Sequence, residues 1–194
     1  MGSIETVAPR AALFLDRDGV IIENRPNYVR QKSDVSFIDE AIVAGREVTQ
    51  AGHPIFVVSN QAVVGKGIMP LDEVVSINEW IMDSLRSKGV GIVAAYICPH
   101  VGEDNCDCRK PRPGMLIRAA SEHGLDLSRS VMVGDNLRDL QAAEAAGAKG
   151  KLVRTGMGAD QEQEVLRVGL GKWLVFDHLL HALPSILSDL EGSI

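Results

Sequence analysis

The chain of 194 residues lacks a long hydrophobic segment and an excess of positive charge. No uninterrupted apolar run approaches the ~18 residues of a transmembrane helix. The first ten residues lack the basic-then-apolar order of a secretory signal. The net charge of −6 argues against nucleic acid or an anionic membrane as a main partner. We therefore expect no nucleic-acid partner and no membrane partner. We also expect the protein to be monomeric and cytoplasmic.

The sequence also lacks internal repeats, low-complexity segments and any linker long enough to divide it. Its hydrophobic content of 45% and charged content of 24% are ordinary for a globular protein, and its length is sufficient for one unit with a full core. We expect residues 1–194 to form a single domain.

Short apolar runs alternate with segments of helical spacing along the whole chain. Strands are predicted at 11–15, 54–58, 91–97, 130–133, 151–153 and 173–176. Helices are predicted at 40–50, 71–88, 113–123, 137–146, 159–168 and 178–190. Because strand and helix alternate, right-handed crossovers should give a Rossmann-like α/β fold, a parallel sheet with helices on both faces.

Two carboxylates one residue apart end the first predicted strand. Asp16 and Asp18 follow the apolar run and precede Gly19. An unpaired carboxylate costs several kcal/mol to bury, on the order of its lost hydration, so a cation between the two acids is one explanation. The other is a strand cap followed by an Asp-Gly turn, which turn statistics favour.

Later strands also end in polar residues. These endings are Ser59-Asn60, the segment after Ile97, and Asp135. In parallel sheets ligands bind at the carboxyl ends of the strands, so all the endings should share one edge. The acids offer only oxygen ligands, which suit Mg²⁺. Asp139, one helical turn after Asp135, is either a support for this site or a solvated helix position.

Phosphoryl transfer is the chemistry that this edge favours. A carboxylate beside a metal can attack phosphorus and form an aspartyl-phosphate, and a second acid can protonate the leaving alcohol and then activate water. Arg109 and Lys110 follow the third strand's loop and could offset phosphoryl charge, although such a pair is usually surface charge. The Gly-x4-Gly-Lys-Ser/Thr phosphate loop is missing, which disfavours ATP-type binding.

Four segments together resemble the motifs of the haloacid dehalogenase superfamily of phosphatases. The segments are, in order, Asp16-Arg17-Asp18-Gly19-Val20, Val58-Ser59-Asn60-Gln61, Cys108-Arg109-Lys110-Pro111 and Gly134-Asp135. The resemblance runs from about Leu13 to Gly156, most of the chain. No connection between the predicted elements is long enough to hold a large inserted cap domain, so none is expected over the site.

The resemblance implies a role for each matched residue. Asp16 would be the nucleophile and Asp18 the general acid and base, while Ser59 and Lys110 would steady the phosphoryl group. Asp16, the Asp18 carbonyl and Asp135 would bind Mg²⁺. The implied substrate-binding residues are Arg25, Tyr28, Asn60, Gln61, Arg109 and Asn136. Asn136 stands where related enzymes carry a substrate-contacting lysine.

All three cysteines lie close together, near a histidine. Cys98, His100, Cys106 and Cys108 offer three thiolates and one imidazole on one loop. An odd number of clustered cysteines disfavours disulfides, and four such ligands suit a closed tetrahedral zinc site. A closed site leaves no open position, so this zinc should be structural. It should hold the loop that delivers Arg109 and Lys110.

The substrate is expected to be a small sugar phosphate. The chain resembles the superfamily branch of heptose bisphosphate phosphatases and histidinol phosphatases. Segments 64–67 and 111–116 favour a heptose bisphosphate, whereas the five-residue spacer of the zinc loop is as short as in histidinol phosphatases. Arg25, Lys66, Arg109 and Arg112 could balance the phosphate that stays on a bisphosphate. Rival interpretations are a non-catalytic sugar-phosphate sensor, disfavoured by both aspartates, and a phosphotransferase, disfavoured by the missing cap.

Overall fold

The computed structural model describes residues 9–169 and 171–192. Every predicted strand and helix is present, with each end within two residues of its predicted position. The strands are β1 Leu13–Leu15, β2 Ile55–Asn60, β3 Ile92–Cys98, β4 Val131–Gly134, β5 Lys149–Val153 and β6 Leu174–Phe176. The helices are α1 Asp39–Gln50, α2 Ala62–Gly65, α3 Leu71–Ser87, α4 Gly114–His123, α5 Leu137–Ala146, α6 Gly158–Gly169 and α7 Leu179–Glu191. The one-turn helix α2 was not predicted.

The six strands form one parallel sheet in the order β3-β2-β1-β4-β5-β6. β1 lies in the interior between β2 and β4, with Leu15 paired to Val57 on one side and to Val133 on the other. The prediction of a Rossmann-like α/β fold is confirmed.

Successive side chains of the buried strands point to opposite faces of the sheet and pack into a separate hydrophobic core on each face. Leu13 and Leu15 pack with residues of α1, α3 and α7, whereas Phe14 packs with residues of α4 and α5. Leu152 of β5 and Val165 of α6 belong to a third cluster on the α5 side. Strands covered on both faces explain why their sequences are continuously apolar.

The register of the central strands brings the polar endings together. Asp16 directly follows the paired Leu15, and its N–H donates to the Val133 carbonyl at 3.0 Å. Ser59 and Asn60 form the last two positions of β2, so they lie inside the strand instead of after it. The carboxyl ends of β1, β2 and β4 therefore present acids, a hydroxyl and amides at one edge.

The connections at this edge are loops and single turns. Between residues 9 and 169 no inserted domain interrupts the elements; the longest connections run from 16 to 38 and from 99 to 113. No helix of the described residues has the length and apolar character needed to cross a membrane. Residues 1–8, which enter the argument about a secretory signal, lie outside the described residues.

Candidate active site

A cavity of about 530 Å³ opens at the carboxyl edge of the sheet. Its lining includes every predicted site residue outside the cysteine loop: Asp16, Asp18, Arg25, Tyr28, Ser59, Asn60, Gln61, Arg109, Lys110, Asp135 and Asn136. Residues from several strand ends and from the connections after β1 and β3 thus meet in one place, as the parallel topology requires.

Lys110 is a buried cation that lines this cavity. Its Nζ lies 3.1 Å from Asp16 Oδ1 and 2.6 Å from Asp139 Oδ1, and it donates to the Val58 carbonyl at 2.8 Å. Burial alone would lower the pKa of Lys110, but Asp139 and Asp16 outweigh that effect and raise it. The lysine therefore stays charged beside the end of β1.

Asp139 is a buried partner of this lysine. The residue is 1% exposed, and besides Lys110 it accepts a hydrogen bond from the Asn136 N–H at 3.1 Å. Gly134 leaves the space for it, because a Cβ there would collide with the Asp139 side chain. The alternative of a solvated helix position for Asp139 is wrong, since α5 turns this residue toward the strand ends.

Three carboxylates gather around the single lysine. Oxygen atoms of Asp16, Asp135 and Asp139 all lie within 4.8 Å of one another. Burial raises the pKa of Asp16 to about 6, against the pull of Lys110, and raises the pKa of Asp135 to about 8, with repulsion from Asp16 and Asp139 added. One lysine does not balance three acids, and an all-oxygen donor set fits Mg²⁺. The residues present therefore fit the divalent cation that the resemblance implies.

Two glycines shape the space around Asp135. A Cβ on Gly19 or on Gly156 would collide with the Asp135 carboxylate, and both glycines have positive φ, +80° and +59°. The Met157 N–H donates to Asp135 Oδ2 at 2.9 Å. The loops after β1 and β5 thus close on this carboxylate and fix its orientation.

Asp18 lies outside the acid cluster and is held by donors. Arg17 Nε and Nη2 donate to its carboxylate at 3.1 and 2.9 Å, and Gln61 Nε2 donates at 3.2 Å. Arg17 is 2% exposed, and its Nη1 donates to Asn78 Oδ1 of α3 at 3.1 Å. The Asp18 carboxylate is therefore fixed by Arg17 and Gln61, apart from the lysine that the other acids surround.

The residues at the end of β2 form hydrogen bonds with each other and with the loop that carries Lys110. The Ser59 hydroxyl accepts from Gln61 Nε2 at 2.8 Å. Asn60 donates from Nδ2 to the Lys110 carbonyl and accepts the Lys110 N–H at Oδ1, both at 3.0 Å. Asn60 thereby fixes the backbone of Lys110 across the cavity.

Arg25, Tyr28 and Asn136 line the cavity, and each of their side chains makes a hydrogen bond within the protein. Arg25 donates to the Asp34 carbonyl and to the Ser36 hydroxyl, each at 2.9 Å. Tyr28 has a positive φ of 64°, and its hydroxyl accepts from Lys66 Nζ at 2.7 Å. Asn136 caps α5 by accepting the Arg138 N–H.

The four predicted zinc ligands converge on one point. Distances from Cys108 Sγ are 3.1 Å to Cys98 Sγ, 3.5 Å to Cys106 Sγ and 3.3 Å to His100 Nδ1. Zinc–sulfur bonds of about 2.3 Å put tetrahedral sulfur atoms roughly 3.8 Å apart, close to this spacing. Burial raises the pKa of the Cys98 thiol, so a thiolate there needs a cation. The cluster could hold zinc.

This loop leads directly into the active-site cations. Arg109 follows the last cysteine, and its Nη1 donates to the His100 carbonyl at 3.0 Å. The Gly114 N–H donates to the Asp107 carbonyl, which ties the start of α4 to the same loop. Lys110, between these two anchors, enters the cavity from a loop that the cysteine cluster organises.

Sequence reasoning missed Arg17, Asn78, Met157 and Arg138. Arg17 stands inside the first motif, but its burial and its bond to α3 are tertiary features. Arg138 lines the cavity from the first turn of α5. A hydrophilic residue on an otherwise apolar helix face, as at Asn78, is the one signal that the sequence offers.

Comparison with known proteins agrees with this geometry. A HAD-hydrolase-like family model matches residues 107–182. D-glycero-β-D-manno-heptose-1,7-bisphosphate 7-phosphatase of Yersinia pestis is 40% identical over 161 residues, covering 79% of this chain and 85% of the relative. The chain belongs to the haloacid dehalogenase phosphatases. It is a phosphoric monoester hydrolase by family, and the resemblance of the four motifs is confirmed.

Two further relatives cover almost the whole chain. The Haemophilus influenzae enzyme of the same name is 37% identical and covers 93% of this chain and 98% of its own length. The crystal structure of D,D-heptose 1,7-bisphosphate phosphatase from B. bronchiseptica, complexed with magnesium and phosphate, is 30% identical. It superposes with a TM-score of 0.81, covering 92% of this chain and 99% of that one.

Proposed function

We propose that this protein removes the 7-phosphate of D-glycero-D-manno-heptose 1,7-bisphosphate through an aspartyl-phosphate intermediate, in nucleotide-activated heptose and lipopolysaccharide biosynthesis. The observation that carries the proposal is the cluster of Asp16, Lys110, Asp135 and Asp139 at the carboxyl edge of the sheet. The names of relatives at 37–40% identity supply the substrate.

Asp16 and Asp18 would divide the chemistry between them. The Asp16 carboxylate attacks phosphorus, the bond from phosphorus to the C7 oxygen breaks, and the Asp18 carboxyl gives that oxygen its proton. In the second step Asp18 takes a proton from water, whose oxygen attacks phosphorus and releases Asp16. Arg17 and Gln61, which donate to the Asp18 carboxylate, orient it for both steps.

Mg²⁺ would be held by the carboxylates of Asp16 and Asp135 and by the carbonyl of Asp18. A bound Mg²⁺ would supply positive charge beside the phosphoryl oxygens, where negative charge lies during transfer. Asp139 keeps Lys110 charged and in place, so this lysine adds a fixed cation at the same point. Ser59 would donate its hydroxyl to a phosphoryl oxygen.

The sugar would be bound at the cavity mouth. The proposed contacts are Arg25, Tyr28, Asn60, Gln61, Arg109 and Asn136, all of which line the cavity. Asn60 and Gln61 already bind neighbouring protein groups, so they also position Lys110 and Asp18. Zinc bound by the cysteine loop would be structural. We also propose that residues 1–194 form a single domain and that the protein acts in the cytoplasm.

The deciding experiment is phosphate release by the purified protein with Mg²⁺. The panel contains the α and β anomers of heptose 1,7-bisphosphate and histidinol phosphate, and ³¹P NMR identifies which phosphate is lost. We expect loss of the 7-phosphate and faster turnover of one heptose anomer than of histidinol phosphate. Preferred turnover of histidinol phosphate would overturn the substrate assignment.

Asp16→Asn tests the mechanism separately. Without a nucleophilic carboxylate we expect turnover to fall by at least about 1,000-fold. Asp160→Asn is the matched control, because Asp160 is an exposed acid of α6 that does not line the cavity. Wild-type turnover by Asp16→Asn would exclude the aspartyl-phosphate route.

A further inference from the structure

A second cavity lies beside the active-site cavity. It measures about 420 Å³ and lies between the cysteine loop and the first turn of α5. Its lining is Val101, Gly102, Cys106, Arg109, Lys110, Pro111, Arg112 and Arg138. Five of these residues, Val101, Gly102, Arg109, Lys110 and Arg138, also line the active-site cavity. The two spaces therefore adjoin along a shared wall.

The charged side chains of the second cavity are all cationic. Arg109, Lys110, Arg112 and Arg138 line it, and its described lining contains no carboxylate. The active-site cavity, in contrast, is lined by Asp16, Asp18, Glu103, Asp135 and Asp139 as well as cations. The cationic lining of the second cavity therefore attracts an additional anion.

Arg138 differs from the other cations of the active-site cavity. Arg17, Arg25, Lys66, Arg109 and Lys110 each donate to a protein group. Over residues 9–169 and 171–192, the Arg138 guanidinium has no hydrogen-bond or ion-pair partner. Arg112, which also lines the second cavity, donates to Asn105 of the cysteine loop. Arg138 is thus an exposed cation on the shared wall with its full donor set available.

We propose that Arg138 is a specificity residue that binds the phosphate left on the substrate after hydrolysis. The inference rests on the proposed function, since a bisphosphate with one group at Asp16 must place its other group elsewhere. A guanidinium can bind phosphate through two parallel hydrogen bonds, which a substrate with one phosphate cannot use. Arg138 therefore distinguishes a bisphosphate from a monophosphate.

The experiment compares two substrates and three variants. Arg138→Ala, Arg138→Lys and Arg10→Ala are assayed with Mg²⁺ on heptose 1,7-bisphosphate and on heptose 7-phosphate. Arg10 is an exposed arginine that lines neither cavity, so Arg10→Ala controls for the loss of one charge. Circular dichroism checks that each variant is folded.

We expect Arg138→Ala to lower kcat/KM for the bisphosphate about tenfold, mainly through KM, and to lower the ratio of bisphosphate to monophosphate kcat/KM to a similar extent. Arg138→Lys should have a higher ratio than Arg138→Ala but a lower one than the wild type. Lysine keeps the positive charge but cannot donate the two parallel hydrogen bonds of a guanidinium group. Arg10→Ala should leave both values unchanged. Calorimetry in an Asp16→Asn background should show the same weakening of bisphosphate binding.

An unchanged ratio in Arg138→Ala overturns this inference while leaving the phosphatase intact. Equal losses on both substrates also overturn it, because Arg138 would then act on the shared phosphate or on the fold. If the wild-type protein hydrolyses neither substrate, the proposed function itself fails and this inference fails with it. The wild-type assay alone therefore separates the two failures.

Discussion

Asp135 is stabilised in its ionised form only if a cation accompanies it. It lies 4% exposed between two glycines and within reach of Asp16 and Asp139, and Lys110 is the cation that the described residues place against this group. Burial raises the pKa of Asp135 to about 8 and the pKa of Asp16 to about 6. Paired aspartates usually have a lowered pKa in the folded state, so these two residues reverse the usual relation between pH and stability.

Without Mg²⁺, stability should therefore fall as pH rises. Asp16 and Asp135, whose ordinary pKa is 3.8, keep protons in the folded state that the unfolded chain releases between pH 3.8 and about 8. Because the folded state binds more protons in that window, the free energy of unfolding declines across it. Urea midpoints at pH 5, 6, 7 and 8 in Mg²⁺-free buffer measure the decline.

Asp135→Asn should flatten this profile, most clearly between pH 6 and pH 8. Asp160→Asn, which removes an exposed acid of α6, should keep the wild-type slope. A variant at Asp135 with the wild-type profile would show that this carboxylate does not carry the pH dependence.

Among the structural elements, the loops after β1 and β5 both contact the Asp135 carboxylate. Gly156→Ala would drive a methyl group into Asp135 and against Gly19. Mutating a residue that orients a metal ligand typically costs 10–100-fold in metal affinity, and Gly156 orients Asp135 in this way. We therefore expect about a tenfold higher Mg²⁺ concentration at half-maximal activity. Activity measured against Mg²⁺ concentration provides the test.

The control for this variant is Gly147→Ala. Gly147 has a φ of +79° at the end of α5, but no atom lies within 4 Å of the position that a Cβ would take, so it shares the backbone strain without the collision. It should lose about 1 kcal/mol of stability and keep the wild-type Mg²⁺ requirement. Equal Mg²⁺ curves for both variants would show that strain, not contact with Asp135, matters.

The cysteine loop is the element that delivers Arg109 and Lys110. Cys106→Ser should lower zinc content and lower kcat/KM by about 100-fold, because misplacement of a site group by ~1 Å costs that much. Zinc is measured by atomic emission alongside kinetics. Asp107→Asn, an exposed neighbour between two ligands, should retain both zinc and activity. Wild-type kinetics without bound zinc would contradict a structural role.

For the whole molecule, alternating patterns were enough to predict the sheet and the edge that carries the site. β1, β2 and β4 are buried on both faces, so their apolar runs were unambiguous, and parallel pairing then aligned Asp16, Ser59 and Asp135. The link from Arg17 to Asn78 spans 61 residues and depends on the rotation of α3. Local spacing places Asn78 on the apolar face of α3 but does not identify Arg17 as its partner.

Local spacing was likewise insufficient to predict where the side chains of Asp139 and Arg138 lie. Both lie in the first turn of α5, and one points under the strand ends while the other lines two cavities. Spacing alone placed Asp139 one turn beyond Asp135 without deciding between solvent and interior. Its burial depends on Lys110, whose position is set by the loop between β3 and α4.

Metal binding should couple this edge to the stability of the whole molecule. A ligand that binds only the folded state, at 100 times its dissociation constant, adds about 2.7 kcal/mol to the free energy of unfolding. For a chain of this size that corresponds to roughly 5–10 °C in Tm. Because the acids that would hold Mg²⁺ come from β1 and β4 in the interior of the sheet, we expect the full shift at pH 7.5 in thermal unfolding. Asp135→Asn should lose most of it, whereas Glu164→Gln, an exposed acid of α6 paired with Arg167, should keep it. A full shift in Asp135→Asn would place the Mg²⁺ site away from this edge.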